Sequence, residues 1–183
     1  DQGPPFRLHA GNCVIQPPEI RHRVLFASDN IEVIEIGVPA EHVTTIDHDM
    51  ELPTPNFMPE RKFSGQKFVH SEVLDADWAQ SRLPGFMSRD TTICKNTQGV
   101  ASVHLIKRGD GIPLWTSHTS DIHFNFVLEG GFTLEGVGQP AQELKSGDAF
   151  VIPPKMKVRY AHPSDDLELL EVSLPGDFKT QVD

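Results

Sequence analysis

Residues 144–178 read LKSGDAFVIPPKMKVRYAHPSDDLELLEVSLPGDF, and residues 8–42 read LHAGNCVIQPPEIRHRVLFASDNIEVIEIGVPAEH. Laid over one another without a gap they agree at ten of 35 positions, where unrelated segments would share roughly two. The shared residues include Gly11/Gly147, Pro17-Pro18/Pro153-Pro154, Arg23/Arg159, Ser28-Asp29/Ser164-Asp165 and Glu35/Glu171. A match of this length is one supersecondary unit used twice. In each copy a Gly-polar pair makes a turn, an apolar stretch follows, and Pro-Pro ends its ladder because proline cannot donate. A Ser-Asp turn then leads into IEVIEIGVP or LELLEVSLP, which the turn-rich flanks and terminal proline favour as strand, with helix as the alternative. Glu168 and Glu171 are three apart, so strict alternation fails there and a bulge or register change is expected.

Outward from the repeat, residues 43–65 hold three prolines and little periodicity, as a surface linker does. Residues 71–83 are compatible with one short helix, capped by Ser71 or Asp75 and ended by Pro84-Gly85. The rest is strand-like: TTICKN, GVASVHLIKR, IHFNFVLEGGFTLEG and AFVIP, punctuated by Gly-Asp-Gly, Glu-Gly-Gly and Ser-Gly-Asp. Many short strands with regular turns imply an all-β antiparallel sandwich or barrel. The chain has 183 residues, 38% of them apolar, enough for one domain core or two small ones.

A net charge of −10, from 26 acidic and 16 basic residues, and the lack of a Lys/Arg cluster oppose nucleic-acid binding. No apolar run approaches a membrane span and none resembles a signal peptide, so no membrane partner and a cytoplasmic location are expected. Cys13 and Cys94 are too few for a disulfide framework or zinc knuckle and read as small buried thiols.

The stretch WTSHTSDIHFNFVLEGGFTLEG followed by LKSGDAFVIPPKMKVRYAH resembles the paired motifs of the cupin superfamily, in its RmlC-like, cupin type-2 form. The resemblance covers about residues 64–178, while residues 8–42 match only the second motif and its following strands. It implies a double-stranded β-helix, a jelly-roll barrel, over residues 64–183. A Pro-rich linker at 43–63 and a second half of another cupin unit at 1–42 precede it, as in the C-terminal part of a two-cupin protein. That half unit is expected to add to an edge of the barrel or to exchange with a second chain, making a homodimer.

The resemblance also implies one divalent metal, Fe, Mn, Ni or Zn, held in the barrel by histidines and a carboxylate. Carried across, the motif positions fall on Thr116, His118, His123 and Val158, of which the two histidines coordinate well. His104 and His162 stand near enough in sequence pattern to join His118 and His123 as metal ligands; the other reading is that His118 and His123 are hydrogen-bonded polar groups lining a pocket. Thr116, Tyr160, Val158 and Asn125 are candidate pocket residues for a small-molecule ligand, with Phe124, Phe126 and Trp115 as further lining or as core. Asp121 reads as a solvated carboxylate. In the partial unit His22 falls where the complete one has Val158. Two functions follow: a metal-dependent enzyme of oxygenase, isomerase or lyase type acting on a small organic acid or aromatic, or a non-catalytic binding or assembly module with a degenerate metal site.

Overall fold

A computed structural model describes residues 3–73 and 77–183. Ahead of the main body lie β1 (Cys13–Ile15), β2 (Lys62–Phe63), β3 (Gln66–Lys67) and β4 (Val69–Ser71). β5 (Ala79–Gln80) and β6 (Phe86–Asp90) form a hairpin, followed by the single turn of α1 (Ile93–Asn96). Then come β7 (Ser102–Arg108), β8 (Thr116–His118), β9 (Ile122–Glu129), β10 (Gly131–Gly136) and β11 (Gln142–Lys145). β12 (Ala149–Val151), β13 (Val158–Ala161), β14 (Glu168–Leu174) and β15 (Thr180–Val182) complete the chain.

Two antiparallel sheets make the barrel, one ordered β12-β9-β14-β7-β6-β5 and the other β11-β10-β13-β8-β15. Register fixes which side chains face inward, because residues directly opposite share a face and alternate along each strand. In the six-stranded sheet Leu169 lies opposite both Val127 and Ile106, and Glu171 opposite both Asn125 and His104. Ser173 lies opposite both His123 and Ser102. The inward face is therefore graded: apolar at one end, where Leu169, Val127 and Ile106 join the core with Phe86, Phe132, Ile152 and Leu167, and polar at the other. The expected irregularity at Glu168 is present as a register shift between Glu168 and Leu169. Glu171 faces the barrel with Leu169 and Ser173 by ordinary alternation, while β14 stays in unbroken register with β7.

Two local expectations are corrected. The described part of residues 71–83 is not one continuous helix: Ser71 belongs to β4 and residues 79–80 to β5, which the tight connection through Pro84-Gly85 folds back on β6. The alternative cap, Asp75, lies outside the described residues. TTICKN is not a strand but carries α1, because Asp90 accepts from the Thr92 amide at 2.8 Å and the amides of Asn96 and Thr97 fold back on Thr92 and Ile93. At the expected boundary β2 and β3 form a hairpin closed by Ser64 and Gly65, both left-handed, as a separate two-stranded sheet.

The two copies of the repeat share local structure. β1 and β12 occupy equivalent positions, thirteen to fifteen against 149 to 151. Three turn hydrogen bonds recur at the same offset: Asn12 to His9 and Asp148 to Lys145, Ile20 to Pro17 and Met156 to Pro153, Ile31 to Ser28 and Leu167 to Ser164, amide to carbonyl in each case. Gly11 and Gly147 are both left-handed, as are Glu19 and Lys155.

The copies part after the second turn. Residues 31–39, expected as strand, enter no ladder, and their side chains are exposed. Val33 is 74% exposed where its counterpart Leu169 is 0%, and Val24 is 78% where Tyr160 is 2%. The reason is the neighbours: β14 is sandwiched between β7 and β9, and no described strands stand in that relation to residues 31–39. Nor does this N-terminal segment add to a barrel edge through its strand, because β1 pairs with β4 instead. Arg89, 1% exposed, donates to the Gly11 carbonyl at 2.7 Å and ties that strand pair to the barrel.

Candidate active site

At the polar end of the interior, β8 supplies His118, β9 supplies His123 and Asn125, β13 supplies Val158 and Tyr160, and β14 supplies Glu171. All are buried to 4% exposure or less. His118 and His123 come together with ring centroids 4.4 Å apart. The connection between β5 and β6 drops Arg82 onto this group, where its guanidinium is ion-paired with Glu171. The same guanidinium lies 3.1 Å from His123 Nε2, donates to Thr180 Oγ1 at 2.7 Å and sits over the Phe178 ring at 4.4 Å. His123 Nε2 is also 3.0 Å from Glu171 Oε2.

The hydrogen-bond pattern assigns the protons. His118 Nε2 faces the Ile152 carbonyl at 3.1 Å, which only accepts, so its proton is on Nε2. His123 Nε2 lies between a carboxylate oxygen at 3.0 Å and the donor-only Arg82 guanidinium at 3.1 Å, and it carries the proton when it donates to the carboxylate. Each ring is left with Nδ1 buried and without a protein hydrogen-bond partner. The Tyr160 hydroxyl and Asn125 Oδ1 are in the same condition. Unpaired polar atoms of this kind are costly to bury and mark a place built to receive something else.

Electrostatics reinforce the picture. Burial alone would raise the Glu171 carboxyl, but the Arg82 charge and the bond from His123 outweigh it and hold it at about 2. Burial, then the neighbouring His123, lowers His118 to about 4, so its imidazole is neutral at pH 7. Burial and the Glu171 charge raise the Tyr160 hydroxyl, which stays protonated. The space left among Arg82, Leu83, Thr116, His118, His123 and Tyr160 is about 10 Å³, room for roughly one water.

The remaining expected residues fall as follows. Thr116 lines the cavity beside Val158, its partner across the strands. His104 lies opposite Glu171 on the inward face, half-buried, its Nδ1 without a partner. His162 does not join the group: the chain leaves β13 at Ala161 and turns left-handed at His162, which is exposed. Phe124 and Phe126 alternate with His123 and Asn125 and so face away from the cavity, and Trp115 packs instead against the Arg159 guanidinium at 5.2 Å. Asp121 is exposed. His22 is exposed, its Nδ1 3.4 Å from the Ile20 carbonyl. Glu171 and Arg82 were not singled out from the sequence.

The donor types present, two imidazoles and a carboxylate, suit a divalent metal, but their arrangement does not fit one. Among the described residues no group of three or more His, Cys, Asp and Glu side chains is placed to hold an ion. The carboxylate and the His123 Nε2 are turned to Arg82, and the His118 Nε2 to Ile152.

Residues 102–173 match the family model of the cupin domain. Solved structures with a similar fold include Pac13, a nucleoside dehydratase from Streptomyces, at 13% identity over 61% of this chain and 89% of that one, with a TM-score of 0.48. The polyketide cyclase RemF from Streptomyces resistomycificus aligns at 19% identity over 56% and 76%, TM-score 0.45. A cupin-like protein from Thermotoga maritima aligns at 19% over 62% and 90%, TM-score 0.48. These likenesses concern the fold and lend no argument about activity. No curated protein matches the chain in sequence. Among the described residues no helix is long and apolar enough to cross a membrane.

Proposed function

We propose that the polar end of the barrel binds a small organic acid and performs acid–base chemistry on it, of isomerase or lyase type. The observation that carries this reading is the buried Arg82–Glu171–His123 network. A carboxylate that fixes one imidazole nitrogen leaves the other as a base and stabilises the cation formed when it takes a proton. Here Glu171 would hold Nε2–H and Nδ1 of His123 would accept the proton. A guanidinium has five donors, more than Glu171 and Thr180 occupy, so Arg82 would also pair with the substrate carboxylate or a developing enolate oxygen. The neutral Tyr160 hydroxyl supplies a donor from the opposite sheet.

The test is exchange of α-protons into D2O for a panel of small mono- and dicarboxylic acids, followed by NMR, with binding read from histidine ring shifts. At least one acid is expected to bind and exchange, and His123→Gln to slow exchange by about 100-fold or more while binding persists. Binding without exchange would leave a non-catalytic module using the same pocket. Absence of binding, or binding indifferent to His118→Ala and His123→Gln, would overturn the site itself.

We also propose that residues 8–42 are the second half of another cupin unit in a two-cupin arrangement. The recurring turns, the matched β1 and β12, and the contrast in exposure between Val33 and Leu169 support it. The reading frame upstream of Asp1 tests it: a strand pattern like that of residues 102–136 is expected there, and a start codon directly before Asp1 would sink it.

A further inference from the structure

We infer that Arg82 is a built-in replacement for a metal cation, its guanidinium holding the position at which His118, His123 and Glu171 would otherwise take up one divalent ion. The inference rests on the interior being the functional site, but its experiment does not depend on activity.

Three strands bring two imidazoles and one carboxylate into one neighbourhood, β8 with His118, β9 with His123 and β14 with Glu171, and with Arg82 among them they are not placed to hold an ion. That is a ligand set of two nitrogens and one oxygen, suited by donor type to Zn, Mn, Fe or Co. Glu171 is 1% exposed and ion-paired with the Arg82 guanidinium, and a buried carboxylate needs a cation in contact. The guanidinium meets that need from outside the strands that carry the ligands. It is fixed in place by Thr180 Oγ1 at 2.7 Å and by the Phe178 ring at 4.4 Å. His123 Nε2, 3.0 Å from Glu171 and 3.1 Å from the guanidinium, is spent on this pair and is not open to an ion. A divalent ion would add its charge to that of Arg82 at the same carboxylate. The two cations are therefore mutually exclusive, and the tethered one prevails.

The experiment uses Co2+ as probe, with metal content after dialysis, the visible absorption of bound Co2+ and the change in Tm on its addition. The wild-type chain and Arg82→Lys, which keeps the charge, are expected to retain no stoichiometric metal and show no interior Co2+ spectrum. Arg82→Ala is expected to take up close to one equivalent, with a rise in Tm, and to lose it in Arg82→Ala with His118→Ala and His123→Ala.

Because Arg82→Ala strips a buried carboxylate of its partner, it is also refolded with Co2+ present. Recovery that depends on Co2+ supports the inference. Stoichiometric metal in the wild-type chain that His123→Ala removes would overturn it, as would uptake by Arg82→Ala that survives loss of both histidines. So would an Arg82→Ala chain that stays metal-free whether or not it folds, while Arg82→Ala with Glu171→Gln folds normally. If Co2+ behaves as expected but no acid binds, the acid–base reading fails and the cation replacement stands.

Discussion

Glutamine in place of Glu171 is expected to cost about 3 kcal/mol of stability at pH 7, because removing one member of a buried ion pair leaves the other without compensation. The same carboxylate governs the response to acid. Its pKa is about 2 in the folded protein against an ordinary 4.5, so its contribution is complete above 4.5 and is lost as the pH falls toward 2. His118 acts earlier in the same direction. Its folded pKa is about 4 against 6.5, so between those values the unfolded chain binds the proton and the folded one does not, and stability falls as the pH drops. Urea unfolding from pH 7 to pH 3 is expected to show a decline beginning near pH 6.5 and continuing below 4.5. In Glu171→Gln the lower part of the decline should vanish while the upper part remains. A variant with the wild-type midpoint and the wild-type acid limb would show that Glu171 is not held as described.

Gly85→Ala is expected to be similarly severe. Gly85 is left-handed, with φ +88, and a Cβ there would lie 2.8 Å from the Pro113 nitrogen and 2.9 Å from the Ile112 carbonyl carbon. Those neighbours are backbone and cannot swing aside. The left-handed conformation costs about 1–2 kcal/mol for an L residue, and forced repacking about 1–3 kcal/mol more. Gly138→Ala is the control: it is also left-handed, φ +76, but nothing stands within 4 Å of its Cβ position. Only the conformational cost applies to it. Urea midpoints of the two variants should differ clearly. Gly85 also closes the turn that begins with Arg82, and its carbonyl accepts from the Gly109 amide at 2.8 Å. Displacing it should therefore slow any acid exchange at the site, whereas Gly138→Ala should leave it unchanged. Equal effects from both would show that the crowding at Gly85 is absorbed.

The barrel and the half of the site that rests on strand patterning were legible in the sequence, because period-two alternation and turn residues are local signals. His118, His123, Thr116 and Val158 were candidates through the resemblance to the cupin motif, and Tyr160 through its two-residue spacing from Val158 on one strand. Glu171 carries a visible signal in the sequence. It recurs as Glu35 in the other copy, and its three-residue spacing from Glu168 means that the two carboxylates cannot both face water on a regular strand. Arg82 had none. It sits in a connection that reads as the end of a helix, and only the three-dimensional closing of the β5–β6 turn brings it over the barrel. The exposed state of residues 31–39 was equally hidden, since a strand pattern states what a segment prefers and not whether partners are beside it.

The cover over the polar end has a kinetic consequence. Arg82, Leu83 and Thr180 help to line an interior space of only about 10 Å³, so a molecule larger than water fits only when the side chains of that cover part. Association is then paced by the protein's own breathing rather than by diffusion, and on-rates should fall below the usual range of about 10⁵–10⁷ M⁻¹s⁻¹. Once inside, a ligand is locked behind the same door, and long residence is to be expected even where affinity is modest.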